Sequence, residues 1–212
     1  MQNLVMLSTL FIVGSLVGWG IEVVFRRFVS RKKWMNPGFL TGPYLPIYGL
    51  GVVVLYAISN IHISIFGAGS VAIRIIIIAF SMTFIEFVVG LIFTKGMGLK
   101  LWDYSDRKGN IMGIICPEFS AIWLIVGSIY YFFLNPIFVS GIKWISDNLI
   151  YTYFIGIVVG MIIVDLAYSI HLASRVKKIN ELRAMRFEDV KREFKSRVKK
   201  IYNLYKTPNS QN

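Results

Sequence analysis

The sequence predicts an all-α fold, a polytopic bundle of about five membrane-spanning helices followed by a basic amphipathic helix. Three observations carry this reading. Of 212 residues, 56% are hydrophobic and only 16% charged, whereas soluble domains are roughly 45–50% apolar and about 25% charged. Five apolar runs, at 4–25, 45–66, 71–93, 119–139 and 149–170, each match the about 20 residues that a helix needs to cross a hydrocarbon layer. The basic residues alternate in density from one connection to the next.

The first run carries Gly14 and Gly18, a small-xxx-small face that lets a second helix approach closely. It lacks a basic leader and an Ala-x-Ala-like site, and Arg26 and Arg27 follow it at once, so it is expected to stay as a membrane helix. The second run is interrupted by Gly49, Gly51, Asn60 and His62, so its outer end is expected in the headgroup region or as irregular backbone covered by protein. The third holds Arg74 near one end and Glu86 about two turns from the other. The fourth opens at Glu118, and the fifth carries Gly156, Gly160 and Asp165. A membrane domain over 1–172 and a cytoplasmic tail over 173–212 follow from this division.

Lysine and arginine accumulate on the cytoplasmic side of membrane helices. The first connection has Arg26, Arg27, Arg31, Lys32 and Lys33; the third has Lys95, Lys100, Arg107 and Lys108; the second has none, and the fourth only Lys143. Twelve more lie beyond residue 172. The alternation predicts an outer N-terminus and a cytoplasmic C-terminus. It also accounts for the net charge of +12, so nucleic acid is not expected as a partner. Along the tail, Val176, Ile179, Leu182, Met185, Val190, Phe194, Val198, Ile201 and Leu204 recur at mostly three or four residues. This stripe suits docking on anionic inner-leaflet lipid or on a partner, with 208–212 expected to be disordered.

Several chemistries have little to work with. A single cysteine, Cys116, makes no intrachain disulfide, and the two histidines, His62 and His171, fall in different segments. No metal site or cofactor is therefore expected. No Gly-x-x-x-x-Gly-Lys-Ser/Thr loop occurs, so ATP-driven work would need a separate ATPase or other membrane subunit.

Carboxylates in a membrane generally face a protein interior, a water cavity or a partner. Glu22, Glu86, Glu118 and Asp165 all fall on the cytoplasmic half, and with Asp103 they are expected to line one inward-facing cavity. Trp19 and Gly90 share helix faces with Glu22 and Glu86. Two connections supply further candidates. The segment from Asn36 through Gly38, Gly42, Pro43 and Tyr48 to Gly51 is rich in proline and glycine yet otherwise apolar, which suits a rigid, partly re-entrant turn. The other contributes Trp102, Asp103, Tyr104, Ser105 and Asn110.

In order, Gly18-Trp-Gly-Ile-Glu22, Asn36-Pro-Gly-Phe-Leu-x-Gly-Pro-x-x-Pro-Ile-Tyr-Gly49, Glu86 with Gly90, Trp102-Asp-Tyr-Ser105, Asn110-Ile-Met-Gly113, Cys116 and Glu118-Phe-Ser120 resemble the bacterial CmpB family, described as a type IV ABC transporter or ABC transporter permease. The resemblance covers roughly residues 14–127 and implies a multi-pass protein of the bacterial cell membrane. The family pattern places an arginine after Gly113, where this chain has Ile114, so the acidic cluster lacks that counter-charge. Three readings are open at this stage: a transport component binding a cation, a proton or a cationic solute; an enzyme acting on a lipid or lipid-linked substrate through Glu86, Glu118 or Asp103; and a scaffold or regulatory subunit docking partners through its tail.

Overall fold

The computed structural model describes residues 2–30, 34–61, 70–148 and 150–206. Six helices account for most of them: α1 (Gln2–Phe25), α2 (Pro46–Asn60), α3 (Ser70–Leu91), α4 (Pro117–Ile129), α5 (Asn135–Asp147) and α6 (Ile150–Lys206). Three π-helical turns extend them, at Arg26–Ser30, Ile92–Met97 and Tyr130–Leu134. The all-α class is observed, with no strand among the described residues.

Among the described residues, four helical stretches rather than five are long and apolar enough to cross a membrane: Asn3–Val29, Ser70–Met97, Pro117–Ile145 and Ile150–Lys199. The expected span at 45–66 is instead the shorter α2, which stops at Asn60 because Ile61 turns into extended backbone. Its expected outer end, with His62, lies outside the described residues, as do Arg31, Lys32, Lys33 and the segment 208–212. The Pro/Gly segment is irregular only as far as Leu45; Pro46 then starts α2, since its fixed φ and missing N–H suit the first helical turn. The expected fourth span runs on through α5. Pro136 has no N–H to give to Phe132, and the chain accommodates it with the π turn immediately before α5.

The C-terminal end of α2 is capped through four of its last five carbonyls. A helix terminus leaves its last carbonyls without intrahelical partners, and here those of Tyr56 to Ser59 receive donors from a side chain or from the chain beyond the helix. Asn60 Nδ2 donates to Tyr56 O (2.8 Å), Ile61 N to Ala57 O (3.1 Å), and Arg74 Nη1 to both Ile58 O and Ser59 O. Asn60 also pairs with Asn135 at the start of α5.

Glycines set the helix crossings. A Cβ on Gly18 would sit 2.3 Å from Tyr48 Cβ, one on Gly14 2.8 Å from Val52 Cβ, and one on Gly49 2.4 Å from the Phe11 carbonyl oxygen. The first small-residue face is thus spent on the α1–α2 crossing, where Leu45 N also donates to Ser15 O (2.9 Å). Gly127 admits Ile78 between α3 and α4 in the same way. Gly156 and Gly160 meet nothing within 4 Å, so their face is not used inside the chain. Two apolar cores result, one around Leu55, Ile78, Met82 and Tyr130 and one around Ile12, Leu40 and Ile162.

The chain divides into two compact units, Met1–Ser169 and Ile170–Asn212. The described residues of the second, 170–206, all belong to α6. Its apolar side chains from Val176 to Val198 are exposed, and three of its acidic residues pair with bases a turn away, as in Glu193 with Arg197 (2.6 Å).

Candidate functional site

The candidate residues fall into separate groups at the end of the bundle where α1 and α3 finish and α2 and α4 begin. The first group centres on Glu86. Its α3 position gives a carboxylate only 6% exposed, two turns before the π-helical end. Tyr104 OH donates to Oε1 (2.9 Å) and Trp123 Nε1 to Oε2 (3.1 Å). Both donors are neutral, and Glu86 forms no ion pair with any described residue. Tyr104 is held in turn by stacking on Phe119 at 4.3 Å between ring centroids. Burial first, and then the charge of Glu86, pushes the Tyr104 phenol well above its usual range, so it stays a donor.

Glu22 belongs to the same neighbourhood. It accepts from Arg26 Nε at 2.9 Å, one turn along α1, and from Tyr48 OH at 3.2 Å. Tyr48 can lie against α1 only because Gly18 has no side chain, and it is near enough to Glu86 to sense both carboxylates. A polar seam therefore runs through the bundle from Arg26 and Glu22 past Tyr48 to Glu86 and Tyr104. One turn further along α3, a Cβ on Gly90 would be 2.3 Å from Ile114 Cγ2 and 3.2 Å from the Trp102 ring. Trp102 is fixed there by its bond to Ile114 O (2.8 Å).

Asp165 lies in a second group. It receives Thr41 N (3.2 Å), the Thr41 hydroxyl, Gly42 N (2.9 Å), Tyr44 OH (2.8 Å) and Ser169 Oγ (3.2 Å). Five donors on two oxygens leave little capacity for a cation, so this carboxylate works as a tether between α6 and the 36–44 segment. Burial, and then the bond to Asp165, pushes the Tyr44 phenol up to about 12. The segment is shaped from inside by Asn36, whose Nδ2 donates to Leu40 O and Thr41 O while Oδ1 accepts from Gly38 N and from Trp19 Nε1. Pro43 and Gly42 form its tip. A groove lined by Thr41, Tyr44, Gly160, Val164 and Tyr168 opens beside the tether.

The third group is the 98–116 connection. Asp103 accepts from Lys100 Nζ (2.7 Å), Ser105 N (3.1 Å) and the Ser105 hydroxyl. Asn110 ties Ser105 O, Arg107 O and Gly113 N together, and Tyr104 N donates to Gly113 O (2.8 Å). Gly113 sits at φ +69°, and a Cβ there would be 2.5 Å from Ser105 Oγ. Glu118 pairs with Arg107 (3.1 Å), both half exposed. These contacts build a rigid loop that presents Tyr104 to Glu86. The Lys100 ammonium, and then the bonds from Ser105, hold the exposed Asp103 carboxyl down at about 2. A depressed carboxyl stabilises its clip above the ordinary value near 3.9 and loses that contribution as pH falls through the depressed one. Hydrogen exchange at the Ser105 amide is therefore expected to stay flat between pH 4 and 7, once corrected for intrinsic rates, and to accelerate only as pH falls from about 4 towards 2.

The five carboxylates thus do not share one hydrogen-bonded network: Glu22 and Glu86 lie along one seam, and Asp103, Glu118 and Asp165 each satisfy a local structure. Trp123, Thr41, Tyr44 and Ser169 join these groups without having been singled out: Trp123 reaches Glu86 from α4, Thr41 and Tyr44 reach Asp165 from the 36–44 segment, and Ser169 lies one turn along α6 from Asp165. A helical chain with four membrane-length apolar segments among its described residues, and a polar seam between them, is of the multi-pass membrane class. The family model described as "Putative ABC-transporter type IV" matches residues 9–170, and the chain belongs to that family. Membership and apolar helices together are consistent with a membrane transport component. No solved structure matches the chain.

Proposed function

We propose that the protein is the membrane-embedded, permease-type subunit of a transport system, and that Glu86 is its ion- or solute-binding carboxylate. The observation that supports this is the placement of Glu86: buried within an apolar span, satisfied only by the neutral donors Tyr104 and Trp123, and without a cation beside it. A carboxylate kept in such a place is expensive and characteristic of ion and proton pathways. In this reading Glu86 binds a proton, a small cation or the cationic group of a solute from the cytoplasm, the basic end of the bundle faces inwards, and Tyr104 reports the state of Glu86 to the 98–116 loop. Energy would come from a separate ATPase subunit. The basic tail would lie against anionic lipid or that partner. The enzyme reading is less well supported, because Asp103 and Glu118 are both engaged in holding the loop.

Two measurements test this. Purification of the intact protein from its native membrane in mild detergent is expected to recover a nucleotide-binding subunit. Untargeted solute analysis of cells carrying wild type or Glu86→Gln should show one solute whose accumulation changes about tenfold or more, with the variant inserted at wild-type levels. Ile114→Arg, which supplies a cation one turn from Glu86, should reproduce that change. Wild-type solute profiles in both variants, with no ATPase subunit recovered, would overturn the proposal.

A further inference from the structure

Arg74 is the one strongly buried cation among the described residues, 7% exposed within the apolar α3. It lies twelve residues before Glu86, about 18 Å along the helix, and so takes no part in the Glu86 group. A guanidinium carries five N–H donors and no acceptor. One nitrogen, Nη1, serves the α2 carbonyls of Ile58 and Ser59. The α2 C-terminus offers a fraction of a negative charge, and the Tyr131 ring lies under the guanidinium, with Cζ 5.7 Å from its centroid. Neither equals a full counter-charge, and Arg74 has no ion pair with any described residue.

Two orphaned atoms occur at this place. Among the described residues, Arg74 Nε is buried without a hydrogen-bond partner, and so is the hydroxyl of Ser59, the residue whose carbonyl Arg74 already holds. Ser59 is itself only 8% exposed. Buried polar groups are nearly always paired, and those that are not mark a missing water, ion or functional role. Here the orphans are an N–H and an O–H, both able to donate, beside an uncompensated positive charge. Water would satisfy the hydrogen bonds and leave the charge, whereas an anion satisfies both.

We propose that Arg74 Nε and the Ser59 hydroxyl form a binding site for a small monovalent anion of the halide class at the C-terminal end of α2. The anion completes the charge balance of Arg74 and locks α2 to α3. The site is independent of the transport reading, since it uses none of the residues around Glu86.

The test is thermal unfolding of the purified full-length protein in detergent, with sodium chloride replacing sodium gluconate at constant total sodium. The wild type is expected to gain a saturable increase in Tm with chloride. Ser59→Ala removes one ligand yet keeps the carbonyl that Arg74 holds, so the chloride concentration at half effect should rise at least threefold while the chloride-free Tm stays put. Arg74→Gln should abolish the response, but it also removes the α2 cap and can fail to fold, so Ser59→Ala decides. A Tm indifferent to the exchange of gluconate for chloride, or a half-effect concentration unchanged in Ser59→Ala, would overturn the site.

Discussion

Gly49→Ala is expected to destabilise the protein by roughly 3 kcal/mol, the upper part of the range for overpacking a close contact. The added methyl would lie 2.2 Å from Ser15 Oγ and 2.4 Å from the Phe11 carbonyl oxygen. A serine side chain can rotate; a helix backbone cannot. The only relief is to push α2 away from α1, which also strains the Leu45–Ser15 bond and the Gly18–Tyr48 contact on the same face. Gly20 is the internal control, because a Cβ there meets nothing within 4 Å. Gly20→Ala should be neutral or stabilising by up to about 1 kcal/mol, the helix-propensity gain. Thermal unfolding in detergent distinguishes the two, and equal midpoints for Gly49→Ala and Gly20→Ala would refute the assignment of the α1–α2 crossing.

The second large effect is expected at Asp165. Replacement by asparagine keeps the shape but puts an amide where one oxygen received Gly42 N–H and Tyr44 O–H, so donors face donors. Losing the charge also weakens the bonds to Thr41 and Ser169. Hydrogen bonds to charged groups contribute about 1.5–3 kcal/mol each, and several are affected at once, though partly open to solvent; a loss of about 2–4 kcal/mol is expected. The damage should be local. Amide hydrogen exchange at Thr41 and Gly42 should rise by at least tenfold, while the α3 amides around Glu86 keep their protection. Unchanged exchange at Thr41 and Gly42 would show that Asp165 is not the tether.

How far these features could be read in advance depends on whether their cause is local. Apolar runs and the Gly14/Gly18 pair are local, and the helices and the α1–α2 crossing follow from them. The end of α2 was half visible: Asn60 signalled a polar interruption, but the cap also needs Arg74 from fourteen residues downstream. The π turn before Pro136 is a local consequence of proline that an apolar count cannot register. Glu86 and Asp165 stood out as charges in apolar helices, yet nothing in their own segments says that Trp123 and Tyr104 will reach one and Thr41 the other. One bond joins residues 124 apart, and no spacing rule spans that distance. Position along a helix says nothing of position around it, so the hydrogen-bond partners of the five carboxylates could not be read from their spacing.

The indole of Trp123 gives the Glu86 group an optical consequence. Indole emission responds to the electric field across the ring, and Nε1 donates directly to the Glu86 carboxylate at 3.1 Å. Any event that neutralises Glu86, whether a proton, a metal ion or an organic cation, changes that field at contact range. The protein therefore carries a built-in fluorophore at its most informative acid. Solutes can be screened by the difference in emission between wild type and Glu86→Gln before a transport assay exists, because the other four tryptophans contribute equally to both.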